Sequence, residues 1–386
     1  MVPSEGKTLL FLVVDDQFNV RRMVQNFLRT FGYNKVIDAS DGEKAWEKAA
    51  GEDIGFIICD WNMPNLNGLG FLRRVRADKR LKDTPFLMVT AEVAEDIVAE
   101  AIEEGVDGYI VKPFQAKTLV DKVEAILDNR RNPQPVEIHL RQGAELLEKG
   151  LAAEALGEFR SALELAPQSP RALVAAGEAL EALGRDPEAL EQYQQAVTLA
   201  KRYVRAHDRL GVLYRRLGQA ETAAKHMQVA AAISPRNARR QLEVGRLLLE
   251  QGDTGKGLAA LKMAGENAGD DAALAEEMGE VLLSAGLNDD AARAFSRAVR
   301  LDPAKVHIYN RLGIAYRRQK RFPEAIREYQ RALLVKPEDE NLHYNLAVAQ
   351  AEAGQFEQAR QTLAQALHLR ADFQEARELL ARLEKA

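Results

Sequence analysis

Four apolar runs in the first third of the chain each end on residues that can do chemistry. Leu9–Val14 leads into Asp15 and Asp16, Phe56–Cys59 into Asp60, Phe86–Val89 into Thr90, and Tyr109–Val111 into Lys112. Brought together, they would make a pocket of three carboxylates, one hydroxyl and one ammonium. Crowded carboxylates repel one another unless a cation joins them. Hard oxygen ligands with room for water suit Mg2+ better than zinc or copper, and Mg2+ commonly accompanies phosphate chemistry. A carboxylate held beside such an ion can act as a nucleophile and become an aspartyl phosphate. The cation on one side and a lysine on the other would neutralise the phosphoryl oxygens, and the threonine hydroxyl could hydrogen-bond them. This chemistry modifies the protein itself and does not process an external substrate.

Such a pocket needs elements that deliver all five groups to one place. Short apolar runs bounded by turn residues read as buried strands of a parallel sheet, and the segments between them as helices. In α/β sheets of this kind, ligands bind off the carboxyl ends of the strands, where these residues fall. Each residue also has a plainer role. Asp15 and Asp16 could cap the amphipathic run Val20–Phe31, Asp60 could sit in a turn before Met63-Pro64, Thr90 could be a cap, and Lys112-Pro113 a strand stop. Their joint placement at successive strand ends favours the pocket. Cys59, the only cysteine, lies in an apolar run and reads as a core thiol.

The motifs Phe11-Leu-Val-Val-Asp-Asp16, Cys59-Asp-Trp-Asn-Met-Pro-Asn65, Met88-Val-Thr-Ala-Glu92 and Gly108-Tyr-Ile-Val-Lys-Pro-Phe114 resemble the receiver domain of two-component response regulators. Among receivers the likeness is to the single-domain chemotaxis type, and it covers about residues 7–129. The resemblance implies a flavodoxin-like (βα)5 fold, with Asp60 as phosphoacceptor and a sensor histidine kinase as donor. It implies that Asp16, Asp60 and the backbone carbonyl of Asn62 hold Mg2+, with Asp15 acting mainly through water. Lys112 would pair with the phosphoryl group, across a cis Lys112-Pro113 peptide, and Tyr109 would swing inward as Thr90 moves. Asn62 and Glu92 occupy the positions that tune dephosphorylation, which implies a short-lived phosphorylated state.

From Val136 onward the chain repeats itself every 34 residues. Glycine recurs at 143, 177, 211, 245, 279 and 313, with Ala347 in the seventh place. A second comb runs Gly150, Gly184, Gly218, Gly252, Gly286 and Gly354, with Lys320 in the gap, and an unbroken alanine comb runs from Ala162 to Ala366. Small residues at fixed positions let paired helices approach, while the second comb supplies the turn between them. Large residues such as Phe159, Tyr193, Phe295 and Tyr329 precede the alanine comb and fill the remaining space. The period and the combs resemble the tetratricopeptide repeat, in seven copies. The position where that repeat usually carries its first large aromatic is degenerate, and only Tyr309 supplies a large aromatic there. Glycines in Gly252–Gly257 and Gly265–Gly269 make repeat four the weakest, by drift or as a flexible point.

The expected organisation is therefore α/β plus all-α: a receiver over 1–131, a Pro-containing linker over 132–135, seven repeats over 136–373 and a covering helix over 374–386. Two prolines stiffen the linker. Residues 1–135 carry 18 Lys and Arg against 22 Asp and Glu, a net of −4, and the remainder 35 against 36, a net of −1. Neither part has the basic excess that nucleic-acid binding wants. No run is long enough for membrane insertion, and no signal peptide or disulfide framework is recognised, so a cytoplasmic protein is expected. The repeat face offers Arg171, Arg205 and Arg239 at one repeat position, with Arg209 and Arg216 nearby. They read either as a basic ladder for an acidic peptide or as an ordinary solvated surface. The sequence implies a response regulator whose repeats bind a protein or peptide under phosphorylation control. The alternative is a constitutive scaffold with the receiver as docking module or phosphate sink. No further enzymatic activity is expected beyond the receiver's own phosphorylation and dephosphorylation, and dimerisation is left open.

Overall fold

The computed structural model describes residues 8–91, 101 and 104–384, so Glu92 lies outside the described residues. The chain divides into two compact units, residues 1–235 and 236–386.

The first unit begins with five parallel strands, β1 (Phe11–Val14), β2 (Val36–Ala39), β3 (Phe56–Asp60), β4 (Phe86–Thr90) and β5 (Gly108–Val111). Their order in the sheet is β2-β1-β3-β4-β5. Alternation along each strand splits the apolar residues between two cores. Leu12, Val14, Ile57, Cys59, Phe86 and Met88 face a layer that includes the helices Gly42–Gly51 and Gly68–Ala77. Phe11, Val13, Phe56, Ile58, Leu87 and Val89 face the helices Phe18–Thr30 and Ala116–Arg131. The continuous apolar runs are what burial on both faces requires.

Ala116–Arg131 runs back from the carboxyl end of β5 to the amino ends of β4 and β5. There the Arg130 guanidinium donates to the Asp83 carbonyl and to Asp107 Oδ1, the latter at 2.8 Å. Asp107 Oδ2 in turn accepts from Arg76 Nη2 at 3.0 Å and from the Phe86 amide at 2.8 Å. Only Asn132–Gln134 separate this anchored helix end from the first repeat helix, Pro135–Glu148. Lys82 Nζ lies 3.8 Å from Glu148 Oε2 across that junction.

The remaining helices form hairpins of constant length. First helices begin at Pro135, Pro170, Val204, Ala238, Ala272, Val306 and Glu340, and their partners at Ala152, Asp186, Ala220, Thr254, Asn288, Phe322 and Phe356. Gln374–Leu383 packs on the last hairpin, with Ala376 and Leu383 buried beside Leu363 and Phe373. Inside each of the first six hairpins one large side chain wedges against the glycine of the first comb. A Cβ on Gly143 would lie 2.4 Å from the Phe159 ring, on Gly177 2.4 Å from Tyr193, and on Gly279 2.5 Å from Phe295. Among the described residues, no helix is long and apolar enough to cross a membrane.

The turn comb adopts left-handed backbone throughout, as at Gly286 with φ 76°, and Lys320 is held there at φ 59° without the freedom of glycine. Lys320→Gly is therefore expected to raise the urea midpoint of unfolding, by about 0.5–1 kcal/mol of stability. An unchanged or lower midpoint would count against strain at this turn.

Repeat four is not slack where its glycines pack. Thr254–Asn267 is one helix, and a Cβ on Gly257 would lie 2.8 Å from Leu249 and 3.2 Å from the Gly245 carbonyl. Arg297 of the next repeat donates to the carbonyls of Gly265 and Gly269 at 2.6 and 2.5 Å, covering acceptors that the helix end leaves open.

The degenerate aromatic position has its own logic. Tyr309 Oη donates to the Pro303 carbonyl at 3.1 Å. At the same repeat position His207 Nε2 lies 3.0 Å from the Lys201 carbonyl, and His343 Nε2 2.9 Å from that of Pro337. In these three repeats a ring with a polar tip reaches the carbonyl six residues upstream, so histidine stands there for tyrosine.

Candidate functional site

The strand registers set Asp60 beside Val89 and Thr90 beside Val111, so the carboxyl ends of β1, β3, β4 and β5 open on one pocket. Asp15, Asp60 and Thr90 are buried there, at 3 %, 6 % and 2 % exposure. Lys112 reaches over them. Its Nζ lies 2.7 Å from Asp15 Oδ2 and 2.5 Å from Asp60 Oδ1. The second Asp60 oxygen accepts from the Asn62 amide at 3.1 Å, and Asp15 Oδ1 from the Gln17 amide at 2.9 Å. Asp16 faces solvent at the mouth. The Lys112–Pro113 peptide is cis, and Tyr109 stands 38 % exposed, with its ring outward.

Charge in the pocket is unbalanced. One ammonium is shared between two buried carboxylates, and a third waits at the rim. Burial raises the Asp60 pKa above its ordinary value, the Asp15 charge adds to this, and the Lys112 hydrogen bond and charge offset only part of it. Burial also works against the Lys112 charge, but the hydrogen bonds to Asp15 and Asp60 outweigh it and hold that pKa up. Burial likewise raises the Cys59 thiol well above its usual range, which leaves it an inert core group. Among the described residues no three acidic, histidine or cysteine side chains close into a metal cage. The donor set, two carboxylates already bound to a lysine plus one in water, fits a hard cation that keeps several waters.

Three residues that support the pocket carried no clear signal in the sequence. Arg21 donates from Nη1 to the Asp15 carbonyl at 2.7 Å and from Nε to Asp38 Oδ2 at 2.7 Å, which ties the acidic loop to β2. Gly68 lies against β3 so closely that a Cβ would fall 2.1 Å from the Asp60 carbonyl oxygen. Asn67 starts that helix by accepting the Gly70 amide at 2.8 Å. The Asn67-Gly68 pair reads as a turn in sequence, and its proximity to Asp60 is visible only in three dimensions.

On the repeats, the arginines that read either as a basic ladder or as a solvated surface are already engaged. Arg171 pairs with Glu137 at 2.7 Å, and Arg205 and Arg209 both meet Glu178 at 2.7 Å. Arg216 lies 3.1 Å from Glu181 and 2.5 Å from Asp186, and Arg239 3.5 Å from Asp271 and from Glu277. Arg311 and Glu280 repeat the Arg209–Glu178 pairing at 2.7 Å. Arg171, Arg205 and Arg239 stand at one repeat position, and carboxylates from different positions of neighbouring helices meet each of them. The ladder is thus a comb of ion pairs, and an acidic peptide would have to displace those carboxylates.

Comparison with known proteins agrees with this geometry. The profile of the response regulator receiver domain matches residues 11–124. Tetratricopeptide repeat profiles match residues 140–204, 175–238 and 276–343, and a further one residues 316–383. The chemotaxis protein CheY of Pseudomonas aeruginosa is 45% identical over 117 residues, which is 30% of this chain and 94% of that protein. CheY-3 of Vibrio cholerae is 43% identical over 123 residues, 32% of this chain and 95% of that one. Among solved structures, the chemotaxis response regulator CheY4 of Vibrio cholerae is 37% identical over 31% of this chain and 99% of its own, with a TM-score of 0.30. The chain belongs to the response regulator receiver family, as a CheY-like receiver joined to tetratricopeptide repeats.

Proposed function

We propose that this protein is a phosphorylation-controlled adaptor. A sensor histidine kinase phosphorylates Asp60, and the repeats engage a protein partner according to that state. The observation that carries this reading is the shared Lys112 ammonium, which holds Asp60 and Asp15 together at the carboxyl end of the sheet with Thr90 buried beside them. In the reaction, an Asp60 carboxylate oxygen attacks the phosphorus of the phosphohistidine, and the bond to the imidazole nitrogen breaks. Asp16, Asp60 and the Asn62 carbonyl would hold Mg2+, with Asp15 acting through water. That ion would supply positive charge to the phosphoryl oxygens. Lys112 then exchanges its Asp60 contact for a phosphoryl oxygen, and Thr90 turns to donate to another. Tyr109, outward in the unphosphorylated pocket, follows inward. Asn62 and Glu92 set the lifetime of the acyl phosphate, which we expect to be short. The organisation is a receiver over 1–131, a linker over 132–135, seven repeats over 136–373 and a covering helix over 374–386.

One observation favours a second reading, a constitutive scaffold. The first repeat follows a helix end that arginine anchors at the amino ends of β4 and β5, opposite the pocket. Hydrogen exchange in Mg2+, with and without beryllofluoride and with Asp60→Asn as control, separates the two. The adaptor reading requires protection changes that reach past Val136. Changes confined to the loops around Asp60, Thr90 and Lys112 would establish the scaffold.

A further inference from the structure

Repeat three holds two imidazoles whose ring nitrogens face each other. His207 Nδ1 and His226 Nδ1 are 3.1 Å apart, on the first and second helices of one hairpin, Val204–Arg216 and Ala220–Ile233. His207 is only 5 % exposed. Its Nε2 lies 3.0 Å from the Lys201 carbonyl, which can only accept, so the proton sits on Nε2 and the Nδ1 lone pair points at His226. The His226 ring is stacked on Tyr214, with 5.6 Å between centroids and 14° between planes, and Tyr214 Oη accepts from Gln194 Nε2 at 2.8 Å. Both rings are thus oriented by groups outside the pair, and half-buried His226 opens the pair to solvent.

This is the donor arrangement that a borderline metal ion uses. Two metal–nitrogen bonds of about 2.0–2.1 Å, meeting near the tetrahedral angle, hold their nitrogens about 3.3 Å apart. A metal-bound imidazole ordinarily donates its other N–H to a carbonyl or carboxylate, as His207 does to Lys201. The corresponding pair in repeat one is different, because His139 Nδ1 there meets the Glu158 carboxylate at 2.7 Å. Only one nitrogen is offered in that repeat.

We propose that His207 and His226 form a site for a divalent transition metal of the Zn2+, Ni2+ or Cu2+ class. The metal takes the place of the proton between the two Nδ1 atoms, and His226 carries its proton on Nε2, so both rings stay neutral. Among the described residues no third histidine, cysteine or carboxylate closes the site. Water, or a side chain of a bound protein, fills the remaining positions. The ion would fasten the two helices of repeat three together, and the site is independent of the phosphorylation pocket.

The test is Zn2+ titration of the full chain, without a histidine tag, against a chromophoric chelator, with Mg2+ in excess so that the acidic pocket does not compete. The variants are His207→Gln, His226→Gln and His139→Gln. Glutamine already fills the His207 position of repeat four as Gln241, so the fold should tolerate it, and circular dichroism checks this. The expected result is one Zn2+ per chain, held with the modest affinity of two imidazoles, weakened about 10-fold or more in either repeat-three variant and unchanged in His139→Gln. Absence of binding in the parent, or equal loss in all three variants, overturns the site.

Discussion

Asp60→Asn is expected to abolish phosphorylation by a sensor kinase or by acetyl phosphate, with no hydroxylamine-labile phosphate detectable, while the receiver stays folded. Asparagine keeps the shape of the side chain but removes the nucleophilic oxygen. The effect on stability has a definite sign. The folded Asp60 carboxyl is held above its ordinary value of 3.8, mainly by burial. It therefore binds a proton more readily folded than unfolded, and keeping it ionised at neutral pH costs stability. The variant removes that cost and the repulsion from Asp15, while Lys112 retains its 2.7 Å contact with Asp15. A urea midpoint at or above the parent's is expected together with total loss of phosphorylation. Residual phosphorylation would move the acceptor elsewhere. A lower midpoint would mean that the Lys112–Asp60 pair stabilises the fold more than burial of the carboxylate opposes it.

Gly177→Ala should cost substantial stability through a single added methyl group. The added carbon would lie 2.4 Å from the Tyr193 ring, and that ring is fully buried with its hydroxyl bonded to Glu181. It cannot tilt aside without giving up that bond. Overpacking of this kind costs about 1–3 kcal/mol. The seventh repeat shows a tolerated alternative, with Ala347 at the glycine position and Leu363 at the wedge, both buried in one cluster. Tyr193→Leu placed in the Gly177→Ala background should therefore recover at least half of the lost stability. Strict additivity of the two losses in urea unfolding would show that the two sites do not compete for the same space.

The pocket was legible because its residues stand at strand ends, where sequence order and spatial convergence coincide. Asp15, Asp60, Thr90 and Lys112 come together for that reason. Arg21 and Gly68 were not legible, since their roles depend on backbone oxygens that arrive from other elements. The combs of small residues were equally readable, because a helix pair repeats its close contact at a fixed spacing. The arginine ladder shows the limit of that reasoning. A period reveals which residues align, but whether a charge is free depends on what the neighbouring helix presents, and Glu178 presents a buried carboxylate to two of them. The aromatic position was readable as degenerate but not as polar-tipped, because its partner is a main-chain carbonyl that no side-chain pattern marks.

The pairing of each small residue with one wedge, Gly143 with Phe159, Gly211 with Met227, Gly245 with Leu261, Gly313 with Tyr329, bears on how such a chain can change its length. Both members of every pair lie within a single hairpin. Unequal crossing-over that joins one copy to another at the junction between hairpins transmits each pair whole, so the interior of every hairpin in the product packs as it did in its parent. A crossover inside a hairpin can instead set Ala347 against a ring the size of Tyr193, or Gly177 against Leu363, leaving a clash or a void. Duplication and deletion are thereby steered to whole units, and the array can grow or shrink in steps of 34 residues without redesign of its interior.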